Sequence, residues 1–385
     1  MHETIVERYL NLGLRLGRHV DGIVDSYAGP PDIAAAVDAE PLREPGALAS
    51  DAEQLLGELD DGWLRDQVRG LHTCAAFMAD SPDSPGSYAD EVEGCYGVRP
   101  AHTDEAVFEG AHRELDQLLP GDGPLAERYE SWRSSITVPA DRIGDIVAAL
   151  IEEARTWTRG IAPLPEGEGV DLEIVRDRSW LAFCEYRGGL RSRISVNADL
   201  PISAFELLHV TCHETYPGHH AERVCKDHLL VRGEGKLEET LVLMPTPQSL
   251  VSEGIAELGP ELLLASEGAG RLTAVLAGAG IELDLAHALA VWRAREPCGW
   301  AEVNASLMLH GDGVGEAEVQ AYLERWALMT PDFAAHVIRF ITEPSSRTYI
   351  VNYSAGRELC RSYVDGDPGQ FRRLLTEQVR VSELR

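Results

Sequence analysis

Long apolar runs are missing from this chain. No segment of its 385 residues approaches the roughly 18 consecutive apolar positions that a membrane-spanning helix requires. The N-terminal stretch MHETIVERYLNLGLRLGRHV carries charge throughout. It lacks the apolar centre of a signal peptide and reads as an amphipathic helix. Basic residues are also in short supply: 34 Lys and Arg stand against 64 Asp and Glu, a formal net charge of -30. Such a field repels phosphate backbones and anionic headgroups, so nucleic acid and acidic membrane surfaces are poor partners. Cysteines number seven, an odd count, and none forms a C-x-x-C pair. Cys74, Cys184, Cys212 and Cys225 sit among apolar or helical neighbours, the pattern of reduced, buried thiols in a cytoplasmic protein. No internal repeat is visible.

What is present is mostly helical periodicity. Ile5, Tyr9, Leu10, Leu12 and Leu16 recur at helical spacing, and DSYAGPPD (25–32) then breaks the pattern. Further helices are predicted at about 46–59, 62–79, 103–119 and 124–136, and from Asp141, as its cap, to about Arg159. PLPEGEGVD (163–171) reads as a linker. After it the periodicity turns to alternation, with a strand over 171–176 and two strands within 179–197 joined by Gly188-Gly189. Pro201 opens a helix that runs into His213, and helices fill the chain beyond 249. The expectation is a mainly α protein with a small antiparallel sheet directly before its key helix. Its 385 residues are enough for one large enzyme domain. We expect a single domain over 1–385, made of a helical part (1–162) and a hairpin-plus-helices part (163–385).

The key helix carries HETYPGHH, His213 to His220. In H-E-x-x-H, two histidines one turn apart hold a catalytic zinc, and the glutamate beside the first works on the metal's water. Here His213-Glu214 supplies the first half, but Pro217 occupies the second histidine's place. Proline removes a helical hydrogen bond and Gly218 relaxes the backbone further. A turn widened by two residues would let His219 take that place. His220 returns to the same face of an ideal helix about 10 Å along the axis. It stands as the rival ligand or as a substrate contact. Downstream, in SLVSEGIAELGPELLL, Glu253 and Glu257 share a helix face. Glu253 fits as third ligand and Glu257 as the carboxylate that orients a ligand histidine. The cofactor expected is Zn2+, with other divalent ions open. Each element alone is ordinary; their conjunction points to a metal.

HETYPGHH followed by SEGIAEL resembles the bacterial family known as domain of unknown function 885, whose signature is HExxPGHH with a later EGxA helix. The match lies over about 205–260. Many members carry EGWA where this chain has Glu253-Gly254-Ile255-Ala256, a difference that falls on the substrate pocket and not on the ligands. The resemblance implies a zincin-like fold of the glutamate-ligand (gluzincin) type and a metallopeptidase-like hydrolase without a specified substrate.

Other candidates surround this core. Arg191, Arg193, Ser195 and Asn197 share one face of the strand 190–197, placed as an edge strand where an extended substrate could add. The arginines there suit a substrate carboxylate. Tyr349, Tyr353 and Arg357 share a face of a helix capped by Ser345 or Ser346. Tyr353 is the chosen oxyanion donor, and Tyr349 and Arg357 are substrate contacts. His310 reads as a helix C-terminal histidine, with a transition-state donor as the alternative, and Asp25 and Tyr27 are candidates for the cleft wall. The reading is a hydrolase of short peptides or amino-acid amide conjugates, with Glu214 activating the water. The same site could serve a lyase or isomerase, or a metal-stabilised binding protein. Oligomeric state is left open.

Overall fold

A computed structural model describes residues 3–80, 86–177, 181–199 and 201–385. The fold is mainly α. In chain order, the first half runs α1 (Ile5–Gly17), β1 (Val24–Tyr27), α2 (Pro31–Ala39), α3 (Pro45–Glu58), α4 (Trp63–Met78), α5 (Tyr88–Tyr96), α6 (Glu105–Leu118), α7 (Leu125–Ser135) and α8 (Ile143–Thr158). The centre holds β2 (Gly169–Val175), β3 (Ala182–Tyr186), β4 (Arg191–Asn197), α9 (Ala204–Glu214), α10 (His219–Lys226), a short α11 (Arg232–Glu234), β5 (Leu241–Leu243) and α12 (Pro247–Leu264). Helices then continue as α13 (Gly268–Gly278), α14 (Leu285–Arg295), α15 (Trp300–His310), α16 (Glu316–Trp326), α17 (Pro331–Thr342), α18 (Arg357–Val364) and α19 (Pro368–Thr376).

The predicted helices of the first half form close to their expected bounds, because each buries its apolar stripe. Two cores result. Tyr9, Leu10, Leu16, Leu48 and Leu71 pack with Leu241 and Leu243 of the distant β5. The larger core joins Ile146 and Leu150 of α8 to Leu208 of α9 and Ile255 of α12, so it draws on both sides of residue 162. Asp141 does not cap α8. It sits in a 3-10 turn, and Arg142 precedes the helix.

Two features of the sheets differ from expectation. The hairpin half, β3 with β4, is antiparallel, but β2 joins β4 in parallel, so the sheet is mixed. Its order is β2-β4-β3, which puts β4 in the middle and leaves β3 as an edge. The expected edge strand 190–197 is therefore paired on both sides. A second, two-stranded sheet pairs β1 with β5 across more than 200 residues, Val24 opposite Leu243. This pairing ties the DSYAGPP segment to the strand that precedes α12.

Candidate metal centre

Helix α9 is fixed at its start by a reciprocal cap. Ser203 Oγ accepts from the Glu206 backbone N–H, and Glu206 Oε2 accepts from the Ser203 N–H at 3.0 Å. Arg133 of α7 grips the same carboxylate, Nε to Oε1 at 2.8 Å. The helix then runs buried to Glu214 and stops. Thr215 leaves helical space (φ -115°, ψ -94°), the Tyr216–Pro217 peptide is cis, and α10 begins at His219. The break is thus an interruption and not a continuous widened helix. Two bonds stitch it: Gly218 N–H donates to Cys212 O at 3.1 Å and Ala221 N–H to Thr215 O at 3.0 Å. Each spans two residues more than an α-helical bond, which is the shift that moves a histidine from i+4 to i+6. Glycine is required at 218, where a Cβ would lie 1.8 Å from His213 O.

The interruption turns the two rings toward each other. Their centroids are 4.8 Å apart at 87°. Glu253 of α12 closes the group, with His213 Nε2 3.5 Å from its Oε2 and His219 Nε2 3.5 Å from its Oε1. One ligand atom from each of the three lies within 4.8 Å of the others. The chemistry fits a cation. Glu253 Oε2 is buried with no hydrogen-bond partner, a costly state for a carboxylate oxygen unless an ion satisfies it. Both imidazoles are also turned correctly. His213 Nδ1 faces Glu257 Oε1 at 3.4 Å, and His219 Nδ1 faces Ser252 Oγ at 3.2 Å. The Ser252 hydroxyl donates to Glu222 Oε2 at 2.5 Å, so its oxygen accepts from His219. With both imidazoles neutral, as metal binding requires, this network would put the ring protons on Nδ1 and leave both Nε2 lone pairs free.

Helix α12 reaches this point through glycines. A Cβ on Gly254 would meet Gly356 O at 2.3 Å, and one on Gly259 would meet Pro217 Cγ at 2.9 Å. The helix therefore lies directly on the interruption on one side. On the other it lies on a π-helical segment, Asn352–Gly356, that leads into α18. Residues 344–349 form turns, so neither Ser345 nor Ser346 caps a helix as expected. Ser346 Oγ donates back to Phe340 O.

A cavity of about 270 Å³ opens beside the triad. Its wall includes Glu214, Tyr349 and Tyr353, together with Asp25 of β1, Arg223 of α10 and residues of β3. Burial raises the Glu214 carboxyl above its ordinary range; Glu253 and Asp25 add to this and the two histidines oppose it. Burial disfavours a charged His213, but Glu257, Glu214 and Glu253 outweigh it and lift the imidazole to about 10. Glu257 is driven down to about 2: burial opposes this, and His213, His209 and Arg357 prevail. Tyr353 is held well above the usual phenol range by burial and then by Glu253, so its hydroxyl stays a donor.

Other candidates lie elsewhere. His220 is fully buried and turned away, Nδ1 to Ser192 Oγ at 2.7 Å and Nε2 to Glu168 Oε2 at 3.1 Å. It is neither near the triad nor on the cavity wall. Arg191 pairs with Asp171, and Arg193 pairs with Glu185 at 2.5 Å; both leave the cavity. Asn197 is buried on the central strand and accepts from the Asp199 N–H. Tyr349 reaches the cavity, but its hydroxyl donates to Glu253 Oε1 at 2.6 Å and so braces a candidate ligand. Arg357 lies behind the site, 3.5 Å from Glu257 and 3.7 Å from Glu296. His310 bonds to Ile341 O at 2.7 Å and Tyr27 to Pro30 O at 2.8 Å. Sequence reasoning missed Arg223 and Ser252. Arg223 was within reach of it, being one helical turn after His219 on α10.

No protein-family model matches the chain, and no curated protein matches it in sequence. Among solved structures, a candidate lipoprotein from Colwellia psychrerythraea superposes with a TM-score of 0.58 at 13% identity. The match covers 88% of this chain and 65% of that one. A second candidate lipoprotein, of unknown function, from Shewanella oneidensis gives 0.52 at 14% identity over 92% of this chain and 64% of its own. The chain thus spans slightly under two thirds of either neighbour. Both similarities concern the fold alone. A Pyrococcus furiosus carboxypeptidase aligns at a TM-score of 0.38 and 12% identity, too loosely to bear on this chain. No helix among the described residues is long and apolar enough to cross a membrane.

Proposed function

We propose that this protein is a zinc-dependent hydrolase of short peptides or amino-acid amides. The observation that carries the reading is the orphaned Glu253 Oε2, buried between two histidines whose Nε2 atoms are both free. Glu253 Oε2 and the two Nε2 atoms gathered around one point have no hydrogen-bond donor among the described residues, and a cation answers that arrangement. A divalent ion there would act as a Lewis acid toward a carbonyl and acidify a water. The protein's own residues supply the rest. Glu214 lines the cavity beside the first ligand and takes the proton of the attacking water. Tyr353 has no hydrogen-bond partner among the described residues and donates its hydroxyl to the developing oxyanion. Tyr349 is already spent on Glu253 and holds that ligand still.

The cavity's size favours small substrates, since it falls just below the range of about 300–1,000 Å³ typical of pockets for drug-sized ligands. The sheet edge nearest the site is β3, whose Ala182, Phe183 and Cys184 form part of the wall. An extended substrate would lie along β3. Glu214→Gln tests the mechanism. It should keep the metal and lose roughly 10²–10⁴-fold in turnover of a mixed dipeptide library. Undiminished turnover would remove Glu214 from the chemistry.

A further inference from the structure

One guanidinium lines the cavity, and it has no ion-pair partner among the described residues, although Glu222, Asp25 and Glu239 act on it at longer range. Arg223 is the only lysine or arginine on the cavity wall among the described residues. The arginines of the neighbouring sheet are neutralised: Arg191 by Asp171 and Arg193 by Glu185. Arg223 makes no ion pair among the described residues, although Asp25 shares the wall with it. Its one hydrogen bond is from Nη2 to Ser252 Oγ at 3.3 Å. A guanidinium carries five donors in a planar fork, so most of its capacity is unused.

Its position is set by the metal centre. Arg223 follows His219 by four residues on α10, so both project from one face. Both also lean on the same Ser252 oxygen, His219 at 3.2 Å and Arg223 at 3.3 Å. Ser252 therefore fixes the distance between the ligand ring and the guanidinium. The wall also has apolar members, Phe183, Val242, Met244 and Phe340. Asp25, Glu214 and Glu253 make the remaining field negative. A dianion would be repelled there more strongly than a monoanion.

We propose that Arg223 is the anchor for a free carboxylate, so that the substrates are compounds whose carboxylate lies one residue beyond the scissile amide, such as unblocked dipeptides. The proposal rests on the hydrolase reading for its word "scissile", but the carboxylate subsite stands as a binding site without it. Arg223 engages the carboxylate through two parallel N–H donors, and the apolar members of the wall receive the side chain of the same residue. The amide then lies between this anchor and the triad. In a chain of net charge -30, an anionic substrate needs such a local cation to enter.

The test is equilibrium binding to zinc-loaded protein carrying Glu214→Gln, with alanyl-alanine and alanyl-alaninamide as probes. The acid should bind roughly 10- to 100-fold tighter than the amide, the difference of a charge-assisted hydrogen-bond pair. Adding Arg223→Ala should reduce the acid to the affinity of the amide, and Arg223→Lys should recover part of the loss. Thermal unfolding checks that each variant is folded. Equal binding of acid and amide, no binding of either, or unchanged acid binding after Arg223→Ala overturns the proposal. Turnover of unmutated protein separates the two readings. Arg223-dependent binding without any hydrolysis overturns the hydrolase and keeps the subsite. Equal hydrolysis of acid and amide does the reverse.

Discussion

His213 and Glu253 meet across two helices that arrive from different parts of the chain, Nε2 and Oε2 3.5 Å apart, and the carboxylate oxygen has no other partner. Without a cation this contact is an unsatisfied buried acceptor. With one it is two sides of a coordination sphere. Glu253→Ala and His213→Ala should therefore each abolish stoichiometric zinc, measured by metal analysis after dialysis. Zinc should also raise the melting temperature of the unmutated protein and leave these variants unmoved. At 100 times the dissociation constant the stabilisation is about 2.7 kcal/mol.

Glu257 stands behind His213, with Oε1 3.4 Å from Nδ1. On the proposed reading it orients the ring without ligating the ion. Glu257→Gln should retain zinc but weaken it about 10- to 100-fold, read by competition with a chelating dye. An unchanged affinity would mean that the ring is held by α9 alone.

Gly218 makes the interruption possible. A methyl group there would sit 1.8 Å from His213 O, against backbone that cannot yield. Gly218→Ala should destabilise by about 3 kcal/mol, the upper end for forced overpacking, and should loosen the zinc site as well. Gly270, inside α13 with open space around it, is the control. Gly270→Ala should be neutral or stabilising by up to about 1 kcal/mol.

His220 serves the scaffold. It shares the buried Glu168 carboxylate with Tyr216 and Arg155. Burial opposes ionisation of Glu168, but these three partners prevail and hold it down to about 2 against an ordinary 4.5. The folded value is depressed. The stability it confers is thus complete above about pH 4.5 and lost as pH falls toward 2. Glu168→Gln should cost ~3 kcal/mol at pH 7 and flatten stability over that acid window, measured by urea unfolding.

The candidate ligands stand out in the sequence because chemistry-bearing residues cluster locally. HETYPGHH and SEGIAEL each place their groups within one helix or across one break, and Pro217-Gly218 marks that break in the sequence. The spacing could not distinguish a widened helix from an interrupted one, since both move a histidine by two residues. Nor could it reject His220, whose orientation depends on Glu168 and Ser192 from the sheet region. The mixed sheet was hidden for a similar reason. Alternation identifies strands but not neighbours, and β2 pairs in parallel with β4 across an intervening strand. Asp25 reaches the cavity only through the pairing of Val24 with Leu243, a contact that local patterning does not encode.

The proposed centre is one ion held by three residues. A crystal structure of zinc-loaded protein, with anomalous data collected on both sides of the zinc edge, tests it directly. A single strong peak is expected about 2.0–2.2 Å from His213 Nε2, His219 Nε2 and a Glu253 oxygen, with His220 still bonded to Glu168. No peak in that position under saturating zinc, or a peak ligated by His220, would contradict it.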